Sequence, residues 1–171
     1  QYCLTNYGKI PSALSKQYTV DGLNSYVSKI AEVSEKSLKE MQSQAQDVYN
    51  AEVAENWDEE DGETLNSLDY QGCYLLTHKS DDSWEDHNIF YLVYKVQIHN
   101  TFKSGKKKYD KTNSIYWYIS YKNLLVNNKG ETSVDVLDYI ETSNSVEIDS
   151  GLDDGWSTKT WYYDGYESLD K

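Results

Sequence analysis

The chain has 171 residues, a length that suits one domain able to bury about two-thirds of its unfolded surface without a metal or disulfide staple. Its formal net charge is -13 and every basic side chain is a lysine, which disfavours nucleic acid and anionic membranes as partners, because phosphate recognition leans on a positive field and on the arginine fork. Mean hydropathy is low at -0.80, yet 14% of the residues are aromatic, so the composition is that of a folding chain and not of a disordered polyelectrolyte.

Residues 1–20 read as an N-terminal arm holding the only proline, Pro11, at the first position of a short helical turn. From Asp21, a candidate N-cap, a helix is expected to about residue 56. Leu23, Val27, Ile30, Leu38, Met41, Ala45 and Val48 recur at spacings of three and four, the mark of one apolar stripe. Ser34 and Ser37 interrupt that stripe, and a continuous helix of this length would be about 54 Å long, so a bend, break or projecting end is expected. Glu32, Glu35, Lys36, Lys39, Glu40 and Gln44 form an ordinary solvated face, with Glu35 and Lys39 in the favourable order.

The acidic loop after Trp57 leads to a strand from Leu68 to Lys79 with Gly72 as a bulge. Two runs, Ile89 to Phe102 and Ile115 to Val126, then flank a lysine-rich turn and read as a long antiparallel hairpin. Each splits at period two into an apolar and a mixed face, as a sheet buried on one side must. Phe90, Leu92, Tyr94, Val96 and Ile98 are expected to face the helix, together with Ile115, Trp117, Ile119 and Tyr121. Lys103, Lys106, Lys107, Lys108 and Lys111 crowd the turn, where lysine discourages edge pairing. A strand follows over Ser133 to Ile148, alternating around Val134, Val136, Ile140, Val146 and Ile148 and interrupted near Ser143 to Ser145. A last aromatic strand or hairpin spans Gly151 to Tyr166.

Sequence-adjacent strands usually pair. The expected fold is therefore α+β: a long N-terminal helix packed on a curved antiparallel sheet of four or five strands, a roll with the outline of cystatin-like and NTF2-like folds. One domain is expected over 1–171, with the helix over 21–56, the sheet over 68–166 and a truncated terminus over 167–171, where ESLDK reads as the opening of a further helix. No secretory h-region and no apolar run of about eighteen residues is present. The sequence thus reads as soluble, without direct membrane insertion, any signal or anchor having been cut away. The absence of an Asn-x-Ser/Thr sequon fits a bacterial source.

Chemistry-bearing residues are sparse. Cys3 and Cys73 allow one disulfide, worth about 4 kcal/mol in chain entropy, or a loose thiol and a small buried hydrophobe. His78, His87 and His99 have no histidine three or four residues away and no Ser-x-Gly elbow, so none is nominated as catalytic. Three acidic clusters, Asp58 to Asp61, Asp81 to Asp86, and Asp149 with Asp153 and Asp154, lack the spaced calcium-loop pattern and read as solvated loops. The sequence implies no metal and no cofactor.

Aromatic residues supply the candidate binding sites. Tyr91, Tyr116, Tyr118 and Tyr139 are expected together on the mixed sheet face, where large rigid rings suit a sugar or protein surface. The closing GWSTKTWYYDGY resembles one unit of the choline-binding repeat of Gram-positive surface proteins, with Gly155, Trp156, Trp161, Tyr162, Tyr163 and Gly165 matching. That resemblance implies a cage for a quaternary ammonium, although such units work as tandem copies and this chain has one. The stretches YLLTHK, FYLVYKVQIHN, YWYISYKNLLV and GYESLDK resemble the extracytoplasmic domains of uncharacterised low-GC Gram-positive membrane and cell-wall proteins. This likeness implies an extracytoplasmic, surface-tethered place and no activity. The expectation is a non-enzymatic binding module for a protein or cell-wall glycan, using the aromatic face or the helix–sheet cleft. Its alternatives are a small hydrolase with carboxylate or histidine chemistry in that cleft, and a spacer or sensor domain of a larger protein.

Overall fold

The computed structural model describes residues 22–78, 86–133, 139–153 and 155–170. The Pro11 turn, the Asp21 cap, the Cys3–Cys73 pairing, Asp81, Asp82, Glu85 and Asp154, and the inward placement of Val134 and Val136 lie outside the described residues. What is described is an α+β fold with one helix ahead of antiparallel sheets.

The long hairpin forms, and it is longer than the sequence suggests. Strand β3 runs over Asn88–Ser104 and β4 over Lys107–Lys122, paired without a slip from Ile89 opposite Lys122 to Ser104 opposite Lys107. Most of the lysine-rich segment is therefore strand, and the turn shrinks to two residues. Gly105 adopts φ 58° there, the left-handed backbone that two-residue hairpin turns require. All nine residues expected to face the helix are buried.

Strand β2 (Glu63–Thr77) pairs with the outer side of β3, its register shifting between Leu65 and Ser67 and again between Tyr70 and Gly72. The second shift lies at the expected bulge; the first was not foreseen. Strand β7 (Tyr139–Glu141) lines the far side of β4, giving the order β2-β3-β4-β7.

The helix corrects the expected start. Helix α1 spans Glu35–Asn56, and its N-cap is Ser34, whose Oγ accepts from the Ser37 N–H at 3.2 Å. The serines that interrupt the stripe are its beginning: Ser34 supplies the oxygen a first helical turn lacks. Upstream, the chain forms the short strand β1 (Ser25–Tyr26) and a 3-10 turn over Ile30–Glu32. Strand β1 pairs with β5 (Leu125–Val126), which pairs with β6 (Thr132–Ser133), so residues 125–126 belong to a small separate sheet and not to β4. Leu23 and Ile30 are exposed, while Val27 is buried as part of this extended segment.

Along α1, Ser37, Met41, Ala45 and Tyr49 are buried at spacings of four, one row along the helix. This row meets β4: the Tyr121 hydroxyl donates to Gln44 Oε1 at 2.7 Å, and the Tyr49 and Trp117 rings lie 5.0 Å apart, edge to face. The rest of that sheet face is covered by a hairpin of β8 (Ser145–Asp153) and β9 (Thr158–Asp164), which does not continue the meander. Its inward residues Val146, Ile148, Trp161 and Tyr163 join the core of the main sheet. Under them lies a buried polar link, in which Asn100 Nδ2 donates to the Tyr163 hydroxyl at 2.6 Å and Asn113 Nδ2 donates to Asn100 Oδ1 at 2.9 Å. Trp161 Nε1 also donates to the Asp61 carbonyl at 3.0 Å, pinning the hairpin to the loop after α1.

Candidate functional site: the reverse face of the sheet

Helix α1 and the β8–β9 hairpin cover the same face of the four-stranded sheet. On the reverse face, period two in β3 and β4 places Ile89, Tyr91, Val93, Lys95, Tyr116, Tyr118 and Ser120. The Gly72 bulge shifts the phase of β2, so that Tyr74 lies directly opposite Tyr91 and Leu76 opposite Ile89. Residues directly opposite share a face and touch.

The rings form a run across the strands. Tyr74 is 56% exposed beside Tyr91. Tyr91 meets Tyr118 at 5.3 Å and 76°, an edge-to-face contact, and Tyr118 stacks on Tyr166 at 6.3 Å and 18°. Tyr166 reaches this position because it exchanges two backbone hydrogen bonds with Tyr116, each 2.8 Å. The Tyr118 hydroxyl is pushed above its usual range, by burial first and then by Tyr166 and Tyr91. Ile140 on β7 lies opposite Ser120 and is also exposed, which extends the run with apolar surface.

The other aromatic candidates separate. Tyr139 lies opposite the buried Tyr121 and packs against the core on the helix side, not beside Tyr91. The expected strand breaks between Glu141 and Ser145, which puts Ile140 outward and Val146 inward although they are six positions apart. In the closing segment, Trp161 and Tyr163 are buried, while Tyr162 is exposed and Trp156 is 99% exposed in the β8–β9 turn. Strand alternation sends these rings to opposite sides, so the two inward ones serve packing, where truncation of such a ring costs about 3–5 kcal/mol. Tyr74, Tyr166 and Ile140 were missed by sequence reasoning. A bulge, a tail bridge and a strand break set their faces, and none of these is periodic.

Acid, base and metal chemistry finds little convergence. His87 stacks on Tyr26 at 3.9 Å, and His99 Nε2 lies 3.2 Å from Asp110. Asp110 is held below the usual carboxylate range, chiefly by its hydrogen bond from Lys108; the same holds for Asp86, through Lys122 at 2.8 Å. Asp149 and Asp153 accept the Gly151 and Gly155 N–H groups at 2.7 and 2.6 Å, which is turn geometry. Among the described residues no three His, Cys, Asp or Glu side chains converge on one point that would suit a metal, and no helix is long and apolar enough to cross a membrane. No family model, no curated protein and no solved structure matches the chain.

Proposed function

We propose that the chain is a non-enzymatic extracytoplasmic binding or interaction module that presents the reverse face of its sheet to a protein or cell-wall glycan. The observation that carries this reading is the run Tyr74, Tyr91, Tyr118 and Tyr166, which lies on the face opposite to the one on which helix and hairpin both pack. Rings of this kind offer broad contact area with little side-chain entropy to lose. Tyr74, Ile140 and Tyr166 are exposed and Tyr91 and Tyr118 half-buried, and apolar surface gathered on one face in this way marks an interaction site. The extracytoplasmic placement is supported by the resemblance of the YLLTHK, FYLVYKVQIHN and YWYISYKNLLV stretches. In outline the module is a cystatin-like or NTF2-like roll, a likeness supported by the layering of helix on sheet and carrying no function of its own.

The test is sedimentation of the protein with purified Gram-positive cell-wall sacculi, comparing it with the Tyr74→Ser/Tyr91→Ser/Tyr118→Ser variant. Binding by the parent protein and a loss of roughly tenfold or more in the variant, at unchanged far-UV dichroism, is the expected result. Equal binding by both overturns the assignment of this face.

A further inference from the structure

The four-stranded sheet ends on one side at β2, which pairs with β3 along one edge and, among the described residues, with no strand along the other. The far side of the sheet is blunted, because β7 there is only three residues long. The first half of β2 is guarded too. Its two charges, Glu63 and Asp69, both precede the second register shift, and the two shifts twist that half of the edge out of line. From Gly72 to Thr77 the strand pairs without a slip and carries no charge and no proline. This half of the edge is left unguarded.

The direction of its backbone groups follows from one hydrogen bond. His78 N–H donates at 3.0 Å to the carbonyl of His87, which the register sets directly opposite, so the backbone groups of Leu76 and Tyr74 also turn toward β3. Those of Cys73, Leu75 and Thr77 therefore turn outward. Among the described residues no hydrogen bond engages these outward groups, and the 3-10 turn over Ile30–Glu32, which comes near β2, forms none with it. The side chains beside them are apolar and open: Tyr74 is 56% and Leu76 58% exposed.

We propose that this edge joins a second copy of the chain, residues 73–77 of each copy running antiparallel about a twofold axis at Leu75. That register sets Leu75 opposite the partner's Leu75, Cys73 opposite the partner's Thr77 and Tyr74 opposite the partner's Leu76. Every outward N–H and C=O of the three residues then meets one from the other copy. Tyr74 and the partner's Leu76 fall on the same face and cover each other, since residues directly opposite touch. The same five residues serve both sides, as a twofold contact requires. Charge favours this place as well: a chain with a formal charge of -13 repels its copy over most of its surface, and here two copies meet without a carboxylate facing a carboxylate. The dimer joins the two sheets edge to edge and sets both tyrosine runs on one side. The contact uses the backbone edge and stands independently of what the reverse face binds.

The experiment is sedimentation velocity of the full-length protein from about 5 to 500 μM, joined to amide hydrogen exchange over the same range. A contact of five residues a side is small, so a reversible dimer with a dissociation constant of about 10–100 μM is expected. Amide protection at Cys73, Leu75 and Thr77 should rise with concentration, while that at Tyr74 and Leu76 should not change. Thr77→Pro removes an outward N–H at a position where an edge strand tolerates proline, and should weaken the dimer roughly tenfold or more. Leu76→Lys, at an exposed position, sets a charge against the partner's Tyr74 and should also weaken it roughly tenfold. Both variants should keep the parent's far-UV dichroism. A monomer at every concentration, a dimer that both folded variants leave unchanged, or concentration-dependent protection confined to other amides would each overturn the proposal.

Discussion

Asn88 and Leu124 hold each other by two hydrogen bonds: Asn88 Nδ2 donates to the Leu124 carbonyl at 2.9 Å, and the Leu124 N–H donates to Asn88 Oδ1 at 2.8 Å. The same amide donates to the Val27 carbonyl at 3.0 Å, so one buried side chain fastens three separate segments at the top of the sheet. Replacing Asn88 with Ala leaves buried main-chain groups without partners. A loss of about 2–4 kcal/mol is expected in urea denaturation, with an unchanged slope. Asn88→Asp, which lacks the donor for both carbonyls, should do no better. A loss under about 0.5 kcal/mol would refute this role for the side chain.

Glycines separate by what surrounds them. Gly62 sits at φ 80°, is buried, and an added Cβ would collide with the Thr101 carbonyl, whose residue donates its N–H to the Gly62 carbonyl at 2.9 Å. Gly105 is also left-handed, at φ 58°, but an added Cβ there meets nothing. Gly105→Ala should cost about 1–2 kcal/mol from backbone preference alone. Gly62→Ala carries the clash as well and should cost clearly more. Paired thermal melts of the two variants check the order.

Capping places the helix start. Ser34→Ala removes the oxygen that accepts the Ser37 N–H and should lower stability by about 1 kcal/mol. Ser34→Asp should restore it, since Asp caps as well as Ser. Chemical denaturation of the three proteins distinguishes this from a nonspecific surface change, which would leave all three alike.

Alkaline pH should unfold the protein in a characteristic way. Burial is the leading cause that pushes the Tyr49, Tyr94, Tyr121 and Tyr163 hydroxyls well above their usual range, and it takes Tyr70 up to about 12. In the unfolded chain tyrosines ionise near about 10. Because the folded values are the higher ones, their contribution to stability is complete below about pH 10 and drains away as pH rises beyond it, the unfolded form losing protons first. Absorbance at 295 nm should therefore show a late component that rises together with the loss of near-UV dichroism. Full ionisation of every tyrosine with tertiary structure intact would contradict the burial account.

The hairpin faces were legible because β3 and β4 keep period two over many residues against one buried side, so Phe90 to Ile98 and Ile115 to Tyr121 sort themselves. The helix start was not, since Leu23 and Ile30 fall by chance at helical spacing with Val27, which is buried by a different neighbourhood around Asn88. Nothing in the alternation of Val146, Ile148, Trp161 and Tyr163 says which sheet such a strand will meet; they form a separate hairpin and share the core with α1. Part of the candidate face was visible, in Tyr91, Tyr116 and Tyr118. Tyr74, Tyr166 and Ile140 depend on a bulge, a bridge and a break, which are long-range choices of the chain.

Both covering elements pack on one side of the sheet, and the division of labour between its sides can be measured. Trp117→Ala should cost about 3–5 kcal/mol, whereas Tyr74→Ser, on the opposite surface, should stay within about 1 kcal/mol of the parent. Mutational tolerance is thereby partitioned across the thickness of a single sheet. One surface is bound to its present side chains by the stability of the whole molecule, while the exposed positions of the other, Tyr74, Ile140 and Tyr166, can be rewritten to suit whatever they meet.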